Sequence, residues 1–369
     1  MLQMMLKKNK NNRLNLLRSF LFVLLFCISC STNSDKRNID FFGEWNEAAL
    51  QHTVIKFMEK DEEGLFVGSN TGLYYCINYT EEYINLGLKE KEIRGVVRFS
   101  DGELLAGTKA FDFSSGDTTL YLLKPGMEKW EPFMNNFGGE NGEYTYISKG
   151  PFKRTGASDT IWVRVGNAVA RSKDKGNSWE LVSGSWNNWG GAAVLFYFDP
   201  YREDNIWVGG VSALSQANLY KTTDNGKNWS SKTSGLSDNI EAVAYDVITH
   251  STNKEMVLVG LSGAIQKAFK IKKSTNGGEN WETVLSDIGV HSFTRSTRDE
   301  NIIYASGINQ NGTLFFTATN NFGDSWQTVE FEDGPTQIRV NDMISVLQNG
   351  KEVLYFGTNK GLYLYTLEN

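Results

Sequence analysis

The sequence predicts an all-β chain folded as a single seven-bladed β-propeller. Three observations carry that prediction. A polar octet ending in tryptophan occurs four times at blade-like spacing. A short apolar run closing on a small residue occurs seven times. The chain then stops on a third strand, and a matching fourth strand stands near the N-terminus. Composition agrees: 36 glycines, only 5 prolines and 13% aromatic residues suit many short strands joined by tight turns. Length alone suggests two domains, but repeat number overrides it.

The octets are "SKDKGNSW" to Trp179, "TTDNGKNW" to Trp229, "STNGGENW" to Trp281 and "TNNFGDSW" to Trp326, with tryptophans 50, 52 and 45 residues apart. All fit Ser/Thr-x-Asp/Asn-x-Gly-x-x-Trp. The short acceptors Asp174, Asp224, Asn276 and Asn321 can bond backbone N–H groups of their own turn. Gly176, Gly226, either Gly277 or Gly278, and Gly323 permit positive φ. The hydroxyls of Ser172, Thr222, Ser274 and Thr319 add a second local bond. Each tryptophan then opens a strand and can wedge against apolar surface. These residues are read as structural.

The apolar runs begin at Leu65, Leu104, Ile161, Ile206, Val257, Ile303 and Leu354. Each follows one alternating stretch and precedes another, giving strand–strand–strand–turn–strand seven times. After "GLYLYTLEN" no fourth strand remains, so "DFFGEWNEA", Asp40 to Ala48, is expected to complete the last blade as its outer strand.

Residues 1–29 read as a targeting segment: five cations, no acid, then the apolar run Phe20 to Ile28. That run is too short to span a bilayer. Ser29 before Cys30 resembles a bacterial lipobox, with Cys27 where an aliphatic residue is usual. The resemblance implies cleavage before Cys30, lipid on its thiol, and residues 30–39 as a tether to a propeller over 40–369. The expected address is the bacterial cell envelope, on the periplasmic or surface-facing side of the outer membrane. Only Cys76 is then left, in a strand-like stretch, which suits a buried thiol. The chain carries a net charge of −6; without residues 1–29, 32 cations face 43 acids. That balance argues against a nucleic-acid partner.

The octet resembles the Asp-box, or BNR, repeat of sialidases, sortilin-type receptors, xyloglucan-degrading endoglucanases and photosystem II assembly factors. The resemblance implies a propeller and leaves function open, since those relatives catalyse, bind or assemble. A sialidase would carry an Arg-Ile-Pro motif on its first inner strand, where this chain has "QHTVIKF". A xyloglucan-type hydrolase needs opposed carboxylates and two propellers. No Walker loop, dinucleotide motif, nucleophile elbow or His/Cys metal spacing is present, so no cofactor and no metal are expected.

The propeller resemblance places ligands where inner strands begin, around the central channel. His52, Arg94, Tyr144, Glu241, His291 and Arg339 recur at those starts, 42, 50, 97, 50 and 48 residues apart. Arg164 stands where most other blades carry a small residue. Trp186 and Trp189, in "GSWNNWGG", offer an aromatic pair for stacking, and Phe111 and Phe113 lie in a long loop. The sequence thus points to a monomeric, lipid-anchored, non-catalytic binding module for a glycan or an envelope protein. A glycoside hydrolase and an assembly factor are the alternatives.

Overall fold

The computed structural model describes residues 41–80, 82–109, 119–133, 153–154, 159–165, 168–184 and 191–368. The anchor, tether and Asp40 lie outside them. Among the described residues, seven four-stranded antiparallel sheets follow one another in chain order. Blades 1 to 6 span residues 55–87, 93–132, 153–183, 191–231, 243–286 and 288–330. Five second strands begin at the residues the sequence marks: Leu104, Ile161, Ile206, Val257 and Ile303. No helix among the described residues is long and apolar enough to cross a membrane.

Blade 7 joins the two chain ends. Its strands Val340–Gln348, Lys351–Thr358 and Gly361–Leu367 are completed by Gly43–Ala49, which pairs antiparallel with the last strand from Gly43↔Leu367 to Ala49↔Leu362. Trp45 stacks on Phe331 of blade 6, centroids 5.4 Å apart and 3° from parallel. Closure therefore adds a packing wedge as well as a ladder.

The octets do what their chemistry implies. In each, the hydroxyl of Ser172, Thr222, Ser274 or Thr319 donates to the Asp/Asn oxygen two residues on, at 2.7, 2.7, 3.0 and 2.9 Å. The same hydroxyl accepts the N–H of Gly176, Gly226, Gly278 or Gly323. Gly278, at φ +94°, thus fills the glycine position that two neighbours could have taken, matching Gly176 at +91°. The carboxyl of Asp224, held by the Asn228 N–H, drops to about 2.

The tryptophans lock blades together. Trp179 packs on the Val97–Phe99–Ile161 cluster between blades 2 and 3, and Trp229 on Trp162 and Phe196 between blades 3 and 4. Trp281 and Trp326 repeat this one and two blades further on. Blade 2 has no octet, yet Trp130 wedges against blade 1 and donates its indole N–H to the Leu86 carbonyl at 2.7 Å. Cys76, in the third strand of blade 1, lies fully buried in the cluster shared with blade 7.

Candidate functional site

Inner strands wall the channel, and six of them share one irregularity. Pairing steps from Ile55↔Ser69 to Phe57↔Gly68, leaving Lys56 without an opposite residue. The same bulge leaves out Arg94, Val194, Tyr245, His291 and Asn341 in blades 2, 4, 5, 6 and 7. A bulge bends its strand and re-aims the extra side chain. All six of these residues line a central cavity of about 540 Å³.

The facing position on the second strand must stay small. A Cβ on Gly68 would fall 1.9 Å from the Phe57 ring, and one on Gly357 2.7 Å from Ile55. Blade 3 departs from this. Its second strand, Ile161–Val165, puts Arg164 at that place, and Arg164 lines the cavity.

Charge divides the wall. Blades 1, 2 and 3 contribute Lys56, Arg94 and Arg164. Glu92 bridges two of them, pairing with Arg94 and lying 3.5 Å from Lys56. Burial, then the Arg94, Arg339 and Lys109 charges, push the Lys56 ammonium down to about 8. Burial and the Arg94 charge push Arg164 down to about 9, still charged at neutral pH. Three cations thus crowd one sector of the wall, two of them answered by Glu92.

At the bulge level the opposite wall is apolar or neutral. Val194, Tyr245 and His291 come from blades 4, 5 and 6, and the Tyr245 and His291 rings lie 4.3 Å apart. His291 Nδ1–H donates to the Val340 carbonyl at 2.8 Å, which leaves Nε2 to accept the Ser262 hydroxyl at 3.2 Å. Burial, with the Arg339 charge adding to it, takes its pKa from 6.5 to about 4. The unfolded chain therefore binds a proton in that window that the folded chain refuses. Stability present above pH 6.5 is lost as pH falls towards 4, by about 3 kcal/mol. His291→Gln should remove this part of the acid sensitivity in urea unfolding measured against pH. An unaltered profile would show that His291 is not buried neutral.

Two of the cavity carboxylates, Asp246 and Asp342, serve the frame. Asp246 accepts the Val247 N–H at 2.8 Å and, across blades, the Phe293 N–H at 2.7 Å. Asp342 accepts the Met343 N–H at 2.8 Å and the Met58 N–H at 2.7 Å. These staples fix neighbouring inner strands at the bulge level.

Of the residues expected to converge, Arg94, Arg164 and His291 line the cavity. His52, Glu241 and Arg339 do not: all three are exposed on the approaches. The expected register is corrected to Lys56, Tyr245 and Asn341, because spacing alone cannot locate a bulge. Arg339 stays nearby, donating its Nε–H to Asn341 at 3.0 Å. The missed residues had one signal, the small residue of the second strand, which marks the bulge level across the hairpin. Tyr144, Trp186, Trp189, Phe111 and Phe113 lie outside the described residues.

The octet turns sit at the other end of the sheets. Ser172, Thr222, Ser274 and Thr319 pair with Ile161, Ile206, Val257 and Ile303, the first residues of second strands. Inner strands end there and begin at the cavity mouth.

Residues 167–332, which carry all four octets, match the family model described as Sortilin-Vps10, sortilin, neurotensin receptor 3. The chain is similar to that family over those residues. Solved structures match its fold over nearly the full length. A solved structure titled YCF48 bound to D1 peptide aligns with a TM-score of 0.61 at 15% identity, over 90% of this chain and 99% of that one. The extracellular domain of a putative hybrid two component system from B. thetaiotaomicron aligns at 0.62 and 13% identity, over 88% of this chain and 39% of that one. These likenesses establish fold. A probable oligoxyloglucan-reducing end-specific xyloglucanase of Neosartorya fischeri is 35% identical over 102 residues. That match spans 26% of this chain and only 11% of the length of that enzyme.

Proposed function

We propose that the protein is a lipid-anchored, extracytoplasmic binding propeller whose channel mouth takes an acidic group of an envelope protein. One observation carries this reading: the Lys56–Arg94–Arg164 arc in an acidic chain, Lys56 and Arg94 set on inner-strand bulges and Arg164 on the second strand of blade 3. Cations crowded there at a cost to their own protonation gain from a bound carboxylate. The propeller solved with a peptide makes a protein ligand reasonable for this architecture. Asp246 and Asp342 already accept backbone N–H groups on both oxygens, which favours binding over acid–base chemistry. A uronic-acid glycan offers the same carboxylate, and the local xyloglucanase match is the reason to test it.

The test titrates acidic peptides and polygalacturonate into the soluble protein. The Lys56→Ala/Arg94→Ala/Arg164→Ala variant should bind at least about 10-fold more weakly, since one charge-assisted bond contributes about 1.5–3 kcal/mol. Affinity should also weaken above pH 8 as Lys56 loses its proton. Equal affinity in parent and variant would rule the arc out as the binding site.

In the same reading residues 1–29 are a lipoprotein signal, Cys30 carries the lipid and 30–39 form the tether. Cys30→Ser should move the protein from the membrane fraction to the soluble one and abolish lipid labelling. Retention with labelling intact would refute the anchor.

A further inference from the structure

The end of the propeller opposite the channel mouth is built from two kinds of turn. Blades 3 to 6 carry the octets there, and every exposed octet residue is polar. Blades 7, 1 and 2 carry none, and there large apolar side chains stand out. Leu347, near the end of the inner strand of blade 7, is 55% exposed; Ile77, last in the third strand of blade 1, is 43% exposed; Met127, in the turn before the fourth strand of blade 2, is 51% exposed. Gln348 Nε2–H donates to the Tyr79 carbonyl at 2.6 Å, which ties the Leu347 strand end to the turn after Ile77. On the octet side, Tyr201 of blade 4 has the Arg295 guanidinium 5.4 Å from its ring. Phe42, 65% exposed, belongs to the apolar sector's end of blade 7. It precedes Gly43, which pairs with Leu367 at the finish of the third strand, and its carbonyl accepts the Glu368 N–H at 2.8 Å. The outer strand Gly43–Ala49 runs from there towards the mouth. The segment before Phe41 therefore joins the propeller at the end away from the channel mouth.

We infer that this sector rests on the lipid surface that carries the anchor, with Phe42, Leu347, Ile77 and Met127 in the headgroup layer and the channel mouth turned away from the membrane. The inference rests on the lipid-anchor reading above and deepens it. A tether over 30–39 reaches at most about 35 Å when extended, so it holds the propeller beside the bilayer without choosing which face meets it. The apolar sector makes that choice, since its burial in the interface adds to the anchor. Charge around it is mixed, Lys124 and Lys351 against Glu62, Glu63 and Glu128. Contact through apolar side chains therefore needs no anionic lipid.

The experiment places the full chain, recovered from the membrane fraction, in phosphatidylcholine vesicles containing a nitroxide-labelled lipid. A thiol-reactive fluorophore is attached through Leu347→Cys, Ile77→Cys or Met127→Cys at the octet end, or through Leu214→Cys at the mouth end. Leu214 is 81% exposed, and Cys76 is buried and out of reach of the reagent. Quenching by the lipid should be at least about 3-fold stronger at the three octet-end positions than at Leu214. Adding Leu347→Asp and Ile77→Asp should weaken quenching of the Met127→Cys probe while the protein stays in the membrane fraction. Equal quenching at the two ends, stronger quenching at Leu214, or a Met127→Cys probe indifferent to the two aspartates would overturn this inference while the anchor stands. A chain that carries no lipid on Cys30 would overturn both.

Discussion

Removing residues 41–49 should abolish cooperative unfolding near the parent's melting temperature. The segment supplies the outer strand of blade 7 through a ladder running from Gly43↔Leu367 to Ala49↔Leu362. Without it, Gly361–Leu367 becomes an open edge, available to other chains. The loss includes packing between blades. Trp45 contacts Phe331, Phe316 and Phe356 at centroid distances of 5.4, 6.0 and 5.0 Å, and Phe41, 7% exposed, packs edge-on to Tyr304 at 5.8 Å. Tyr365 Oη–H also donates to the Phe41 carbonyl at 2.8 Å. Truncating one large buried aromatic costs about 3–5 kcal/mol, against a usual domain stability of about 5–15. Trp45→Ala alone should cost about 3 kcal/mol, reduced from the buried limit because the indole is half-buried. A truncated chain that melts like the parent would mean the ring does not depend on this strand.

Glu352→Ala should be the most damaging point substitution outside the apolar core, at about 3–5 kcal/mol. Glu352 is 3% exposed, on blade 7 where it faces blade 6. Its carboxylate accepts the Thr297 N–H at 2.8 Å, the Ser345 hydroxyl at 2.5 Å, the Ser296 hydroxyl at 2.8 Å and the Tyr304 hydroxyl at 3.1 Å. Burial and the neighbouring Glu352 charge raise the Tyr304 phenol well above its usual value, so it stays a donor. Alanine would take the carboxylate acceptor away from the buried Ser296, Ser345 and Tyr304 hydroxyls. Glu352→Gln keeps one acceptor oxygen and should cost less. Denaturant unfolding of the two variants measures the difference; equal stability of Glu352→Ala and the parent would contradict the network's role.

Glu352 also shows where the sequence stops informing. Nothing in "QNGKEVLYFG" distinguishes it from a solvent-facing glutamate, because three of its four partners come from blade 6, about 50 residues away. The octets are the opposite case. Each closes its bonds within eight residues, so local chemistry suffices to read it. Gly43–Ala49 was legible by elimination, since blade 7 lacked a strand. The channel wall was half legible. Arg94 and His291 sit on bulges that happen to lie at the assumed register, whereas Lys56 stands four residues after His52 and Tyr245 four after Glu241. A bulge leaves no mark on alternation until the partner strand is known. Trp130 escaped notice because "KPGMEKW" lacks the Asp/Asn and hydroxyl of the octet, though its wedge is the same.

A ligand bound at the bulge level of the channel should leave the octet turns untouched. Backbone hydrogen exchange, with and without bound acidic peptide, measures this directly. Exchange should slow in Ile55–Lys60, Ile93–Arg98 and Ile161–Val165, with residues 172–179, 222–229, 274–281 and 319–326 unchanged. Protection confined to those four turns, with the three strand segments unaffected, would contradict it.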